Sequence, residues 1–364
     1  MSESRMSESP SALARPIETG KNESAVGIVA ELDGPSRRSR RAIILALLVG
    51  LPSSALFLWL SIRDADLDAV WAAIGDLRPA WIPLALGCLA VMYWCQAIRW
   101  KRIARAELPT RSVFGMLIAG LAVNYVVPAR AGDLLRARWM SQATDTTGGK
   151  GLSTVVLDRS GDLLVLAVLL LACVPVVTRA AWIDRIAIGG AVVAGLVVVT
   201  IAVARLYARR RPCGRRSHRS LVRRLVRDTL DGLSEPVQAR DAGIVLLLSL
   251  AAWVSWSAAA ILASRSLGIE LSPVEALFLA GIVNLGVAIP SSPGFVGTYH
   301  WLVVSTLALY GIDRELALAF AVVFQACWYL PTTVGGGLLL VHRAHARVAK
   351  QDALREDARA GAHA

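Results

Sequence analysis

Long apolar runs, separated by blocks of polar and charged residues, dominate this chain. Six of the runs span residues 42–62, 80–98, 160–178, 186–204, 242–263 and 316–341. An α-helix rises about 1.5 Å per residue, so about 20 apolar residues cross a hydrocarbon core about 30 Å thick. The pattern therefore predicts an all-α membrane protein with about six spanning helices.

Two further apolar stretches are interrupted by proline and glycine. The first covers residues 112–127 and the second has limbs at 274–290 and 295–310. The breaks contain Pro128 and Gly132 in the first stretch, and Pro290, Pro293 and Gly294 in the second. Non-helical backbone at membrane depth is tolerated only inside protein or beside water. We therefore predict two re-entrant helical hairpins, although two short full spans remain open for the second stretch.

The order of these segments predicts an inverted-topology repeat. Span, span, hairpin and span occur twice with opposite orientation, in halves at 41–178 and 186–341 that are joined outside near 179–185. Paired broken helices of this kind are typical of transporters, whose sites lie between the repeats. Chance similarity between two turns rich in glycine and proline is the alternative.

Charge gives the predicted orientation. The chain is 55% hydrophobic and only 18% charged, with a net charge of +12. Its basic residues flank the apolar runs, and the loop at 205–240 holds many arginines. By the positive-inside rule, both termini and this loop lie in the cytoplasm. The high content of alanine, valine and arginine, with few lysines, indicates a GC-rich bacterial genome, so we expect the protein in a bacterial plasma membrane. The same rule explains the basic charge, so we expect no nucleic-acid partner.

The remaining segments predict little chemistry of their own. Residues 1–36 indicate a disordered cytoplasmic tail, 37–345 the membrane domain and 346–364 a second cytoplasmic tail. The five cysteines follow no disulfide or zinc spacing, so neither disulfides, metal sites nor cofactors are expected. An apolar stripe amid arginines at 221–233 predicts a basic helix on the inner leaflet, or equally an ordinary solvated loop.

Ionisable residues near the first break form the candidate site. These are Arg130, Asp133, Arg136, Asp158, Arg159 and Asp162, with Asn124 and Asn284 just ahead of the two breaks. Charges at membrane depth are costly and usually line a cavity or pair with each other. Arginine suits phosphate because its planar fork binds two oxygens. Salt bridges that pin the hairpin, and asparagines that satisfy freed backbone groups, are the structural alternatives.

With these residues, the chain resembles the flippase-like transmembrane domain of lysylphosphatidylglycerol synthases, over about residues 41–342. The residues that carry the resemblance are Asn124, Pro128, Arg130, Gly132, Asp133, Arg136, Asp158, Arg159 and Asp162, then Pro290, Pro293, Gly294, Gly297 and Gly311. Members often have glutamate at Asp133 and Asp158. They often have an acidic residue near His300 and an arginine near Gln325, where this chain has neutral side chains. The resemblance implies a stand-alone form without the aminoacyl-transferring domain.

The predicted function is movement of a phospholipid or a lipid-linked headgroup across the membrane, with no enzymatic activity and no catalytic residues. Arg130, Arg136 and Arg159 would capture an anionic headgroup while the two hairpins rock. One alternative is a structural or regulatory protein that transports nothing and joins a membrane enzyme or a second copy of itself. The third is a lipid-linked glycosyltransferase, in which Asp64, Asp66 and Asp68 of the first outer loop would hold a metal and a phosphosugar.

Overall fold

The computed structural model describes residues 51–127, 130–177, 221–234, 239–287 and 293–362, with isolated helical positions between 188 and 206. Its helices are α1 (Leu51–Ile62), α2 (Leu67–Gly75), α3 (Trp81–Ile103), α4 (Thr110–Val126), α5 (Ala131–Ala143), α6 (Gly148–Cys173), α7 (Leu221–Ser234), α8 (Ala239–Ser266), α9 (Pro273–Gly286), α10 (Thr298–Leu307) and α11 (Arg314–Ala362). All regular structure in this part of the chain is helical, which confirms the all-α prediction. The tail at 1–36, the start of the first span, most of the fourth span, Pro128 and Pro290 lie outside the described residues.

Three of the described helices are long and apolar enough to cross a bilayer. They are α3, the segment Asp241–Ser266 of α8, and the segment Arg314–Ala346 of α11. They coincide with the second, fifth and sixth predicted spans. The 26-residue α6 has the length, but it begins 12 residues before the predicted third span and carries three charged residues at its centre. The total number of spans stays a prediction.

Small side chains bring α3 and α8 close together. Ala85 and Ala97 of α3, and Ala252, Ala259 and Ala263 of α8, are all fully buried. In lipid, helices gain little from hiding apolar surface, and small residues favour association because they let backbones approach closely. The large apolar side chains instead point outwards, and Leu84, Leu247 and Leu338 are each more than half exposed. This distribution is the one expected of a protein solvated by lipid.

The first broken stretch folds into α4 and α5, whose backbones touch. A Cβ atom added at Gly132 would collide with the carbonyl oxygen of Gly120, and one added at Gly120 would lie 2.7 Å from Cδ of Arg136. Glycine at both positions therefore permits the close approach of the two limbs. Arg130 precedes α5 in the left-handed conformation, with φ of 53°. Non-glycine residues adopt this conformation infrequently, so the break places an unusual backbone geometry beside the candidate site.

The second broken stretch folds into α9 and α10. They have 14 and 10 residues, so each is at most about 21 Å long and shorter than a typical span. Ser272 and Glu275 form a capping box at the start of α9. Gly294 and Gly297 take positive φ values between the helices, where glycine carries no steric cost. These lengths favour the hairpin alternative, although its re-entrant path stays a prediction.

Two smaller helices complete the described structure. Asp66 caps α2, accepting hydrogen bonds from the amides of Asp68 at 2.9 Å and Ala69 at 3.3 Å. The basic segment folds into α7, which packs on the start of α6 where Gly149 and Gly232 leave room. Contact between α7 and the inner leaflet stays a prediction. The helix α11 continues to Ala362, so most of the predicted C-terminal tail is helical.

Candidate functional site

A buried arginine from the last turns of α3 lies at the centre of the charged cluster. Arg99 is fully buried and donates from Nε to Oδ1 of Asp158 at 2.9 Å and from Nη2 to Oδ2 of Asp162 at 2.9 Å. Its Nη1 also donates to Oγ of Ser249 at 2.9 Å, and Trp253 donates to Asp162 at 3.0 Å. One guanidinium thus joins α3, α6 and α8, and its charge is neutralised by two carboxylates.

A second buried arginine connects this network to α5. Arg136 is fully buried and donates from Nη2 to Oδ2 of Asp158 at 3.0 Å. Its Nη1 lies 3.5 Å from Oδ1 of Asp133, and its guanidinium carbon lies 4.3 Å from the ring centroid of Trp100. A guanidinium over an indole face gains a cation–π attraction. Asp158 is therefore shared by two arginines from different helices, which attaches the return limb of the first hairpin to α6.

The limbs of the first hairpin are joined by an asparagine and an aspartate. Asn124 donates to Oδ1 of Asp133 at 3.1 Å, and its own Oδ1 accepts the backbone amide of Asp133 at 3.2 Å. This exchange connects the end of α4 to the first turn of α5. Arg159 of α6 also donates to Oδ1 of Asp133, at 3.2 Å, and keeps 31% of its side chain exposed. Asn124 therefore has a structural role here.

Arg130 differs from the other arginines of the cluster. Its side chain is exposed, and its Nη2 donates to the carbonyl oxygen of Val287 at 3.3 Å. Val287 follows the last residue of α9. This bond therefore joins the first broken unit, formed by α4 and α5, to the second, formed by α9 and α10. Nearby, the ring of Tyr125 lies edge-on to Phe295 at 6.2 Å and stacks on Tyr329 at 5.5 Å. Among the residues that the structure describes at these breaks, the two units meet through this hydrogen bond and an aromatic cluster.

Uncharged side chains hold the second broken unit. Gln325 of α11 donates to the carbonyl oxygen of Gly294 at 2.8 Å, and Nδ1 of the buried His300 accepts the amide of Gly297 at 3.4 Å. Asn284 donates to the carbonyl oxygen of Ala280, one turn earlier in its own helix. Asn284 is therefore not placed with the charged cluster, unlike the six ionisable residues predicted from sequence.

Sequence reasoning missed Arg99 as a site residue. The second span was predicted to end at Ile98, which assigned Arg99 to the cytoplasmic flank, whereas α3 continues to Ile103. Gln96 lies three residues before Arg99, and both side chains are buried. Two polar residues at helical spacing inside an apolar run indicate a face turned towards other helices. That spacing was the available signal, whereas the partners Ser249 and Trp253 had none.

The net charge of the cluster determines what it can bind. It contains Arg99, Arg130, Arg136 and Arg159 against Asp133, Asp158 and Asp162, which leaves one positive charge in excess. Arg130 bonds an uncharged carbonyl, and Arg159 is only partly covered. The exposed side of the cluster therefore presents cationic donors suited to an anion. Among the described residues, no three His, Cys, Asp or Glu side chains are grouped to hold a metal ion.

Comparison with known proteins relates this geometry to lipid biochemistry. A family model described as the lysylphosphatidylglycerol synthase TM region matches residues 43–336. The glycosyltransferase AglD of Haloferax volcanii is 30% identical over 343 residues, which cover 82% of this chain and 54% of that protein. The chain thus spans about half the length of this curated relative.

The name of that relative corrects one prediction. From sequence, the chain was expected to have no enzymatic activity. It contains no GxSxG, HExxH or P-loop motif, and six spans leave little room for a donor and an acceptor substrate. A glycosyltransferase that is similar over most of the chain contradicts this expectation. An enzymatic role therefore stands among the candidate functions.

Proposed function

Because this chain belongs to the family of the lysylphosphatidylglycerol synthase TM region, we propose that it binds a phosphate-bearing lipid headgroup and moves it across the membrane. It is a multi-pass membrane protein of a lipid-related family. In the proposed orientation, both termini and the end of α3 face the cytoplasm, and the membrane is the plasma membrane. The headgroup would enter where the two broken units meet, while the acyl chains stay in lipid.

One observation carries this proposal. Arg130 is the exposed arginine at the junction of the two broken units, and it donates to a neutral carbonyl oxygen rather than to a carboxylate. A phosphate oxygen is a stronger acceptor for a guanidinium than a carbonyl, because both partners are then charged. An arriving headgroup can thus replace Val287 as the partner of Arg130. The same exchange would break the hydrogen bond between the two units and leave their aromatic contacts in place.

Arg159 supplies the second cationic donor. Its side chain is partly exposed, and its Nε is buried without a hydrogen-bond partner. An unsatisfied buried donor is costly, so a ligand oxygen that reached it would gain more than a single surface contact. Asp133 bonds Arg159 at 3.2 Å and fixes its position. Arg130 and Arg159 together would bind a phosphate from two sides.

The buried part of the cluster has a positioning role in this proposal. Arg99 and Arg136 are fully buried and neutralised by Asp158, Asp162 and Asp133, so a headgroup does not reach them. They hold α3, α5, α6 and α8 as a frame against which the breaks can move. This changes the role predicted for Arg136, from headgroup capture to the support of α5.

Transport by reconstituted protein tests the proposal. Purified protein in liposomes should move labelled phosphatidylglycerol between leaflets, and Arg130→Gln should slow this movement about tenfold or more. Arg138→Gln removes the same charge from the same limb and should leave the rate within about twofold. Thermal unfolding in detergent should be alike for all three proteins. A wild-type rate no faster than that of Arg130→Gln would contradict transport through this site.

Glycosyl transfer to a lipid-borne acceptor is the second candidate, and the name of the relative favours it. In this case the same arginines would hold the phosphate of the lipid while a sugar is transferred. Among the outer-loop acids, Asp66 caps α2 and Asp64 pairs with Arg63 and Arg314. Asp66→Asn separates the two roles, because asparagine caps a helix as well as aspartate but carries no charge. If Asp66→Asn abolished sugar transfer while the protein stayed folded, a chemical role for this acid would follow.

A further inference from the structure

The helix α7 packs on the membrane domain along one side and exposes apolar side chains on another. Gly149 of α6 and Gly232 of α7 permit this close packing, because a Cβ atom added at either position would collide with the other helix. Among the described apolar side chains of α7, Leu233 is buried, whereas Leu225 and Val226 are 42% and 52% exposed. The contact with α6 thus leaves an apolar side of α7 uncovered.

The neighbouring helices place α7 close to one surface of the membrane. Arg102, near the end of α3, pairs with Asp241, near the start of α8, at 3.5 Å. Two candidate spans therefore end at the same level. Between the last residue of α7 and the first of α8 there are five Cα–Cα steps, which reach at most about 18 Å. The end of α7 accordingly lies within that distance of the point where α8 begins.

The chain around α7 carries the charge that an anionic membrane attracts. Residues 205–227 contain ten arginines and neither aspartate nor glutamate. Arg227 directly follows Val226 and keeps 46% of its side chain exposed, with Asp231 as an equally exposed partner at 3.9 Å. Arginines beside an apolar side are typical of helices that lie in the headgroup region with that side towards the acyl chains.

We propose that α7 binds the anionic lipids of the inner leaflet, with Leu225 and Val226 among the acyl chains and its arginines at the headgroups. The positive-inside rule assigns this basic end of the bundle to the cytoplasm. Two other surroundings fit less well. Water would leave both apolar side chains hydrated, and a second copy of the chain in a symmetric pair would bring one arginine-rich segment against another.

Binding of α7 has a consequence for α6. The two helices meet at Gly149 and Gly232, where neither has room to slide past the other. A leaflet that holds α7 therefore also fixes the depth at which α6 begins. The inference uses no residue of the charged cluster, so it stands independently of the proposed function.

Amide hydrogen exchange of the full chain in nanodiscs tests the proposal. Exchange at residues 225–234 should slow about fivefold or more when phosphatidylglycerol replaces part of the phosphatidylcholine, because several arginines then gain anionic partners. High salt should remove most of this difference, since exposed charges are screened. Exchange in the buried helix α9 should be the same in both lipid mixtures and provides the internal reference.

Variants separate the apolar contribution from the charge. Val226→Ser removes apolar contact without changing the charge and should lose most of the protection in phosphatidylglycerol, whereas Val226→Leu should keep it. Arg111→Gln, which removes an exposed charge from the first turn of α4, should change exchange in α7 less than about twofold. The comparison of the two lipid mixtures needs no variant, so it remains decisive even if Val226→Ser fails to fold.

Two outcomes would overturn the proposal. Fast exchange of α7 in both lipid mixtures would mean that water surrounds its apolar side. Slow exchange that is equal in both mixtures and insensitive to salt would mean that protein covers it, from this chain or from a second copy.

Discussion

The two broken units share a plan and differ in how it is stabilised. Each has a helix that ends shortly after an asparagine, a break with at least one residue of positive φ, and a second helix. In the first unit, charged side chains hold the break: Asp133 accepts from Asn124 and Arg159. In the second, neutral groups do so, with Gln325 on Gly294 and His300 on Gly297.

This difference indicates that the geometry of a break does not by itself require charge. In the described part of the second break, an amide and an imidazole bond the backbone of Gly294 and Gly297. The charges at the first break therefore call for an additional explanation, since uncharged groups would stabilise it at lower cost in lipid. Their net positive charge and the exposure of Arg130 supply one, namely the binding of an anion.

The largest expected effect comes from removing the charge that the first unit depends on. Arg99→Met removes the direct ion-pair partner of Asp162 and leaves Asp158 paired with Arg136. Breaking a buried ion pair on one side costs about 3–5 kcal/mol, and we expect a loss of that size in the free energy of unfolding. Titration with SDS in mixed micelles measures it. Lys101→Met, two residues along, should change stability by about 0.5 kcal/mol or less, and a similar loss in both variants would contradict the network.

A methyl group added at each break compares the packing of the two units. Gly132→Ala would place Cβ against a backbone carbonyl of Gly120, which cannot move aside. Gly286→Ala meets only the flexible end of Leu302. Overpacking costs about 1–3 kcal/mol of stability. We therefore expect the free energy of unfolding to fall by about 3 kcal/mol in the first variant and by less than about 1 kcal/mol in the second. The same unfolding assay distinguishes the two variants. Equal losses of stability would show that α4 and α5 pack less closely at Gly132 than the structure indicates.

The two asparagines provide a matched pair. Asn124→Ala removes two hydrogen bonds to Asp133, each contributing about 1 kcal/mol. We therefore expect the free energy of unfolding to fall by about 2 kcal/mol. Asn284→Ala removes one bond within its own helix, and the higher helix propensity of alanine offsets part of that loss. Thermal scans of both variants should therefore rank Asn124→Ala as less stable. The reverse order would mean that the second break depends on its asparagine more than the contacts indicate.

The smallest expected effect concerns the uncharged side chain of Gln325, which bonds the second break. Gln325→Leu keeps the side-chain volume but leaves the carbonyl oxygen of Gly294 without its side-chain donor. The expected loss in the free energy of unfolding is about 1 kcal/mol. The rate of lipid transport should fall less than in Arg130→Gln. Measuring both quantities on the same preparation decides whether the second unit has a structural role, a transport role or both. A transport defect as large as that of Arg130→Gln would remove the asymmetry between the units.

Sequence periodicity was sufficient for the fold class and for part of the site. The spacing of Asp158 and Asp162 predicts that they share one helix face, and both indeed bond Arg99. The helical stripe of the outer loop allows either Asp64 or Asp66 as the cap of α2, and the structure uses Asp66. These predictions succeed because they depend on residues within a few turns of each other.

The remainder of the site depends on contacts between distant segments. Arg99 meets Ser249 across 150 residues, and Arg130 meets Val287 across 157. No periodicity specifies such pairs, because they are set by how whole helices pack. The complete burial of Arg136 could not be predicted from sequence for the same reason. Charge alone cannot distinguish an arginine that faces a ligand from one that supports a helix.

The position of Arg99 in the chain has a consequence for biogenesis. Arg99 leaves the ribosome 59 residues before its first carboxylate, Asp158. At about 5–20 residues per second, it spends about 3–12 s without an acidic partner. We expect its guanidinium to stay near the lipid headgroups during that time, with α3 initially in a shallower position. On this expectation, α3 reaches its final depth only after α6 has been synthesised.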